Sequence, residues 1–121
     1  FLEAESYPGP SMIIAYSHCI AHGYDLARGV NQQKLAVESG HWPLFRFDPR
    51  RLQKGENPLQ LDSGSPKIDL ASYVRNETRY RMVEQQNPDA FRKLVEEAQK
   101  NVHCRHKLYE HVAGFIAPKD E

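Results

Sequence analysis

The stretch "SMIIAYSHCIAHGYD", Ser11 to Asp25, decides how this chain is read, because an apolar run ends there in a polar corner. Met12-Ile13-Ile14-Ala15-Tyr16 reads as a buried β-strand: short, apolar, with two β-branched residues and turn signals at its ends. Before it, Tyr7-Pro8-Gly9-Pro10 makes a turn, since proline fixes φ and glycine accepts unusual φ. After it, Cys19 stands between His18 and His22, and Cys19 to Gly29 is suited to start a helix directly behind the strand. Backbone N–H groups at a helix start favour a thiolate and lower its pKa, which suits a nucleophile and a metal ligand equally well. Free cysteines are also among the most buried residues, so a small packing role stands beside the two chemical ones.

Working outward, Asn31 to Ser39 continues as a helix that Gly40 terminates. Trp42 to Phe47 alternates well enough for a second strand, with Pro43 confining it to a strand start or an edge. Asp48 to Ser65 is a long polar loop rich in Pro and Gly, within which Leu59-Gln60-Leu61 makes a short extended piece. A helix is expected from Pro66 or Asp69 to Gln86, with Leu70, Tyr73, Val74, Tyr80 and Val83 near one face. Asn87-Pro88-Asp89 restarts the chain as a second helix: an N-cap, a proline at the first helical position and an acid in the first turn. That helix extends to about Ala113, where Gly114 ends it, with Phe91, Val95, Ala98, Val102, Tyr109 and Val112 as its apolar stripe. The fold class is therefore α/β: a partial α/β piece over residues 1–49, followed by a loop and a two-helix arm over 50–121.

Lys plus Arg and Asp plus Glu both number 16, so no global field favours nucleic acid or anionic lipid. No apolar run approaches the roughly 20 residues of a bilayer span. The first residue is Phe1, and the opening "FLEAESYPGP" resembles no leader, which suggests a piece that starts inside a larger polypeptide. A mean hydropathy of -0.70 suggests a modest core completed by surfaces outside the chain. Two cysteines without a secretion leader point to a reducing compartment and free thiols.

A cysteine hydrolase needs a base, an oxyanion site and an orienting group, and nothing near His18 and His22 identifies the last. Structural zinc normally takes four ligands at recognisable spacing, and no CxxC is present. His103 and His106 share a helix face at i, i+3 without Cys104, and a solvated face is the plainer account of them. The aromatic group Trp42, Phe45 and Phe47 reads as strand core rather than as a base-stacking platform. No GxGxxG, Walker loop or HExxH occurs.

The blocks "IIAYSHCIAHGYDL", "QQKLAVESGHWPLFRFDPR", "GENPLQLDSGSPK" and "YVRNETRYRMV", in this order, resemble the C-terminal part of the pyruvate:ferredoxin (flavodoxin) oxidoreductases. The resemblance runs over about residues 2 to 113. It implies a large homodimeric cytoplasmic enzyme that decarboxylates pyruvate on thiamine diphosphate and Mg²⁺. Electrons then pass through 4Fe–4S clusters to ferredoxin or flavodoxin, and coenzyme A accepts the two-carbon unit. Residues 1–49 would be the end of the thiamine-binding domain, and 50–121 its C-terminal extension.

In that family the cysteine of the strand-to-helix corner is the fourth ligand of the cluster nearest thiamine, a position matched by Cys19. The other three ligands would come from the remainder of the same polypeptide. The resemblance assigns no catalytic residue to this chain, and the glycine–aspartate signature that holds magnesium and diphosphate is absent from it. Ser17 and His18 would be neighbours able to tune the cluster, and Cys104 a helix-packing residue. The alternative is a structural or dimer-contacting arm with no cofactor ligand.

Overall fold

Asn87-Pro88-Asp89 does what its residue types require. The Asn87 side chain accepts a hydrogen bond from the Ala90 N–H at 3.0 Å, and Pro88 opens a helix that runs Pro88–Ala113. Pro88 occupies a position whose N–H would have no partner inside the helix, so its missing donor costs nothing. In the computed structural model, which describes residues 1–115, this is the last of five α-helices among the described residues. They are α1 (Leu2–Glu5), α2 (Gly29–Glu38), α3 (Leu70–Val74), α4 (Thr78–Gln86) and α5 (Pro88–Ala113). The end of the expected 50–121 extension, residues 116–121, lies outside the described residues.

The sheet is small. Strands β1 (Phe45–Phe47) and β2 (Leu59–Leu61) pair antiparallel, with Phe45 opposite Leu61, Arg46 opposite Gln60 and Phe47 opposite Leu59. The long polar loop thus folds back as a wide hairpin. Its tip carries a 3₁₀ helix, Pro49–Lys54, opened by Asp48, whose side chain accepts from the Arg50 N–H at 3.0 Å. Arg46 grips Asp62 with two hydrogen bonds of 2.8 Å each and reaches Glu3 at 2.9 Å, which ties α1 to the hairpin. Mixed helix and sheet is the class that the sequence pattern predicts.

Three expectations for residues 1–49 need correction. Met12 to Tyr16 is not a buried strand: Met12, Ile13 and Ile14 are 84, 51 and 69% exposed, and no strand lies beside them among the described residues. A strand needs a hydrogen-bonding neighbour and a cover for its apolar face, and the core here is built between helices instead. Phe45 and Phe47 are likewise half exposed rather than core, although Phe45 stacks on Tyr109 with ring centroids 5.0 Å apart. Two 3₁₀ turns, Ile20–His22 and Leu26–Arg28, replace the helix expected from Cys19.

The buried core consists of Ala36, Leu70, Tyr73, Val74, Phe91 and Val102, with Tyr16, Trp42 and Val95 among the half-buried residues around it. It joins α2, α3 and α5. Gly40 makes the close approach possible. It takes φ +72°, and a Cβ there would lie 2.7 Å from both Pro66 Cγ and Val102 Cγ1. Any side chain would therefore push α5 away from the end of α2.

The helix expected to run unbroken to Gln86 is cut at Arg75-Asn76-Glu77. Glu77 has extended backbone, φ −103° and ψ 127°, and its side chain is turned inward to 1% exposure. There Oε1 accepts from Gln32 Nε2 at 2.9 Å, and Oε2 accepts from Arg79 Nε at 2.6 Å. Gln32 also donates to the Tyr73 carbonyl at 3.2 Å and accepts from Asn76 Nδ2 at 3.0 Å. Tyr16 and Tyr73 share a hydroxyl–hydroxyl hydrogen bond of 2.6 Å, and Arg79 donates to Tyr16 Oη at 3.4 Å. Burial, and then the Tyr16 hydrogen bond, push the Tyr73 phenol well above its ordinary pKa, so it stays neutral. One buried carboxylate thus holds α2 against the junction between α3 and α4.

Two consequences are measurable. Glu77→Ala leaves the buried Gln32 amide short of an acceptor and is expected to cost about 1–3 kcal/mol, because an unmet buried donor bears its desolvation penalty. Glu77→Gln keeps one acceptor and should lose less. Urea midpoints of the two variants check this, and an unchanged midpoint for Glu77→Ala would exclude the role.

The second consequence concerns His41, which stacks on Tyr73 at 4.5 Å while its carbonyl accepts from Arg105 at 2.8 Å. Burial, and then the Arg105 guanidinium, hold the His41 pKa below its ordinary 6.5, outweighing the Glu77 carboxylate. The folded state then binds fewer protons at His41 than the unfolded chain. Its contribution is complete above about pH 6.5 and is lost as pH falls from there through the lower folded pKa. His41→Phe should therefore lose less stability than the parent between about pH 7.5 and about pH 5.5. Equal losses in urea unfolding would contradict this.

Candidate functional site

Cys19 sits in extended backbone, φ −139° and ψ 143°, immediately before the 3₁₀ turn Ile20–His22. Its carbonyl accepts from the His22 N–H at 3.0 Å, and its thiol is exposed and free. Cys19 thus precedes a three-residue turn and not the helix start expected behind it. Cys104 is also free and exposed on α5, so it is not the packing residue expected of it. No disulfide joins the two cysteines.

The turn beneath Cys19 is firmly held. Gly23 closes it at φ +72°, with its N–H bonded to the Ile20 carbonyl at 3.1 Å. The Gly23 carbonyl accepts from the Thr78 N–H at 3.0 Å and from the Thr78 hydroxyl. A Cβ at Gly23 would lie 2.6 Å from Thr78 Cβ, so a larger residue would lift the loop off the start of α4. Further along, Asp25 accepts from the Ala27 N–H at 3.0 Å and shapes the turn Leu26–Arg28 that leads into α2.

The two flanking histidines diverge. His18 lies over Gly29, places Nδ1 3.4 Å from Gln33 Nε2, and meets the Tyr24 ring edge-on at 6.4 Å. The Ser17 hydroxyl donates to the His18 carbonyl at 3.2 Å. His22 turns inward to 16% side-chain exposure, with Nδ1 3.8 Å from Glu77 Oε1. That separation is too long for a hydrogen bond, and the buried His22 Nδ1 has no partner among the described residues. The Tyr24 hydroxyl is also buried and unpartnered, and burial, then Glu77, push its pKa up, so it remains a neutral donor.

Neither histidine hydrogen-bonds Cys19 Sγ among the described residues, so the pairing a cysteine hydrolase needs is not present. Nor do three or more His, Cys, Asp or Glu side chains come together to hold a metal ion among the described residues. On α5, His103 is exposed beside Gln99 at 3.3 Å, whereas His106 is buried and lies 3.1 Å from Glu110. The solvated face expected there thus holds for His103 and fails for His106. Cys19 remains as a single accessible sulfur on a braced turn, which can contribute one bond to a site but cannot complete one.

Sequence reasoning found Cys19, His18 and His22 and missed the polar group behind them: Gln32, Glu77 and Arg79. A signal was present. Glu77 lies four positions after Tyr73 and three before Tyr80, so an acid stood on the apolar face of the expected helix.

No protein-family profile matches the chain. Among curated proteins, it is 51% identical to the pyruvate-flavodoxin oxidoreductase of Rhodospirillum rubrum over 98% of its length. It is 48% identical over 94% to the protein of that name from Trichormus variabilis. The pyruvate:ferredoxin oxidoreductase of Moorella thermoacetica is 38% identical over 93% of the chain. In each case the matched region covers 10% of the relative. Along nearly its whole length, the chain is therefore related to a segment amounting to about a tenth of the pyruvate-flavodoxin oxidoreductases.

Proposed function

We propose that this chain works as part of a pyruvate:flavodoxin or pyruvate:ferredoxin oxidoreductase, in which Cys19 supplies one of the four thiolates of a 4Fe–4S cluster. The observation that carries the reading is the 51% and 48% identity to relatives of that name across 98% and 94% of the chain. The names of the relatives share pyruvate and differ in the acceptor, flavodoxin or ferredoxin. A segment common to both is better suited to the shared part of the reaction than to choosing the acceptor.

The residues present fit a shared ligand. Cys19 has a free, exposed thiol, and its carbonyl accepts from the His22 N–H in a turn that the Gly23–Thr78 bonds join to α4. A cluster of this kind takes four thiolates, so three come from elsewhere in a longer polypeptide. When bound, the cluster supplies one-electron acceptance beside thiamine diphosphate and its Mg²⁺. The part of Cys19 is to hold that acceptor in place, with no proton to move. Ser17 and His18 are the nearest side chains in sequence able to adjust the polarity around it.

In the same reading, residues 1–49 close the thiamine-binding domain and 50–121 form its extension, within a cytoplasmic homodimer that takes pyruvate and coenzyme A. A structural or dimer-contacting arm is the second reading. It draws on the exposed Met12, Ile14 and Ile20, at 84, 69 and 79% exposure, which favour cover by other protein surface. In the full-length enzyme, Cys19→Ala should remove or convert one cluster, seen in iron content and in low-temperature EPR after reduction. A full iron complement, an unaltered EPR spectrum and normal ferredoxin reduction would favour the arm.

A further inference from the structure

On the side of α2 facing the junction of α3 and α4 lies a cleft of about 430 Å³ whose lining includes Arg28, Arg75 and Arg81. The lining holds three arginines and one acidic residue, Asp25, whose carboxylate already accepts from the Ala27 N–H. The chain as a whole is electrically balanced, 16 basic against 16 acidic side chains, so this excess is local. Internal pairing accounts for only part of it. Arg75 meets Glu84 at 3.1 Å, and Arg81 donates to the neutral Thr78 hydroxyl at 2.8 Å. Arg28 makes no ion pair among the described residues.

The three arginines come from three anchored places. Arg28 ends the 3₁₀ turn shaped by Asp25, Arg75 follows α3, and Arg81 lies in the first turn of α4. Gln32, also in the lining, ties α2 to the junction of α3 and α4 through its bonds with Asn76 and Glu77, of 3.0 and 2.9 Å. Guanidinium forks match the oxygens of a phosphate, and three of them exceed what Asp25 and Glu84 need. The volume lies within the range of small-molecule sites. We propose that this cleft, whose lining does not include Cys19, binds a small organic phosphate.

The test uses arginine modification by phenylglyoxal on the intact protein, read peptide by peptide by mass spectrometry, with inorganic diphosphate as the probe. A diphosphate bound elsewhere does not affect this reading, because the signal comes from named arginines. Diphosphate should slow modification of Arg28 and Arg81 several-fold, while sodium chloride of equal ionic strength does not. The exposed Arg92 on α5 should be indifferent to both. In an Arg28→Gln, Arg81→Gln double variant, protection of Arg75 should disappear, whereas Arg28→Lys should retain part of it. No slowing, equal slowing by chloride, or arginines unreactive even without diphosphate would each overturn the proposal, the last because protein then fills the cleft.

Discussion

A carboxylate buried to 1% exposure between two helices sets the geometry of this chain. Placing Glu77 out of water is costly unless its oxygens are bonded, and both are, to Gln32 and to Arg79. To meet them, the backbone leaves the helical path at residues 75–77 and resumes as α4. The break frees the Thr78 N–H from an intrahelical partner, and the Gly23 carbonyl takes it. The loop carrying Cys19 is thus tied to the same residue run that buries Glu77. The interior polar network and the surface thiol have one mechanical origin.

The apolar side of the structure is thinner than the polar side. Among the described residues, six buried hydrophobic side chains form the core, while Met12, Ile13, Ile14, Ile20 and Val30 remain exposed. Burying apolar surface stabilises by about 25 cal/mol per Å², so covering these side chains is favourable for any protein surface able to do it. Their positions before and after Cys19 put the uncovered apolar surface and the free thiol on the same stretch of chain. That coincidence suits a sulfur whose partners reside on another surface better than it suits a self-contained nucleophile.

Much of this was legible in the sequence where local chemistry decides. Asn87-Pro88, Gly40 and the extended piece at Leu59–Leu61 behave as their residue types predict, because caps, left-handed turns and short strands are settled within a few residues. The strand expected at Met12–Tyr16 failed for the opposite reason. Its apolar pattern states a preference for burial, and whether a neighbour supplies it is not encoded in those five residues. The break at Glu77 was hidden because helix propensity ran through it, and a long-range contact with Gln32, 45 positions away, overrode it. Of the site itself, the sequence marked Cys19 and both histidines, but it gave no sign that His22 faces inward while His18 packs over Gly29.

The arginine cleft and the Cys19 loop share one weak point. Arg75 and Arg81 flank Glu77 in sequence, and the loop is held by Thr78, so any change that moves the junction moves both. Loss of either property in a Glu77 variant therefore says nothing about which side chain performs it. Substitutions at Arg28 and at Cys19 are different. Each lies at the outer end of its own turn, exposed, with its backbone held by bonds that do not involve its side chain. A loss confined to Arg28 or to Cys19 variants, with the unfolding midpoint unchanged, can therefore be assigned to the side chain removed.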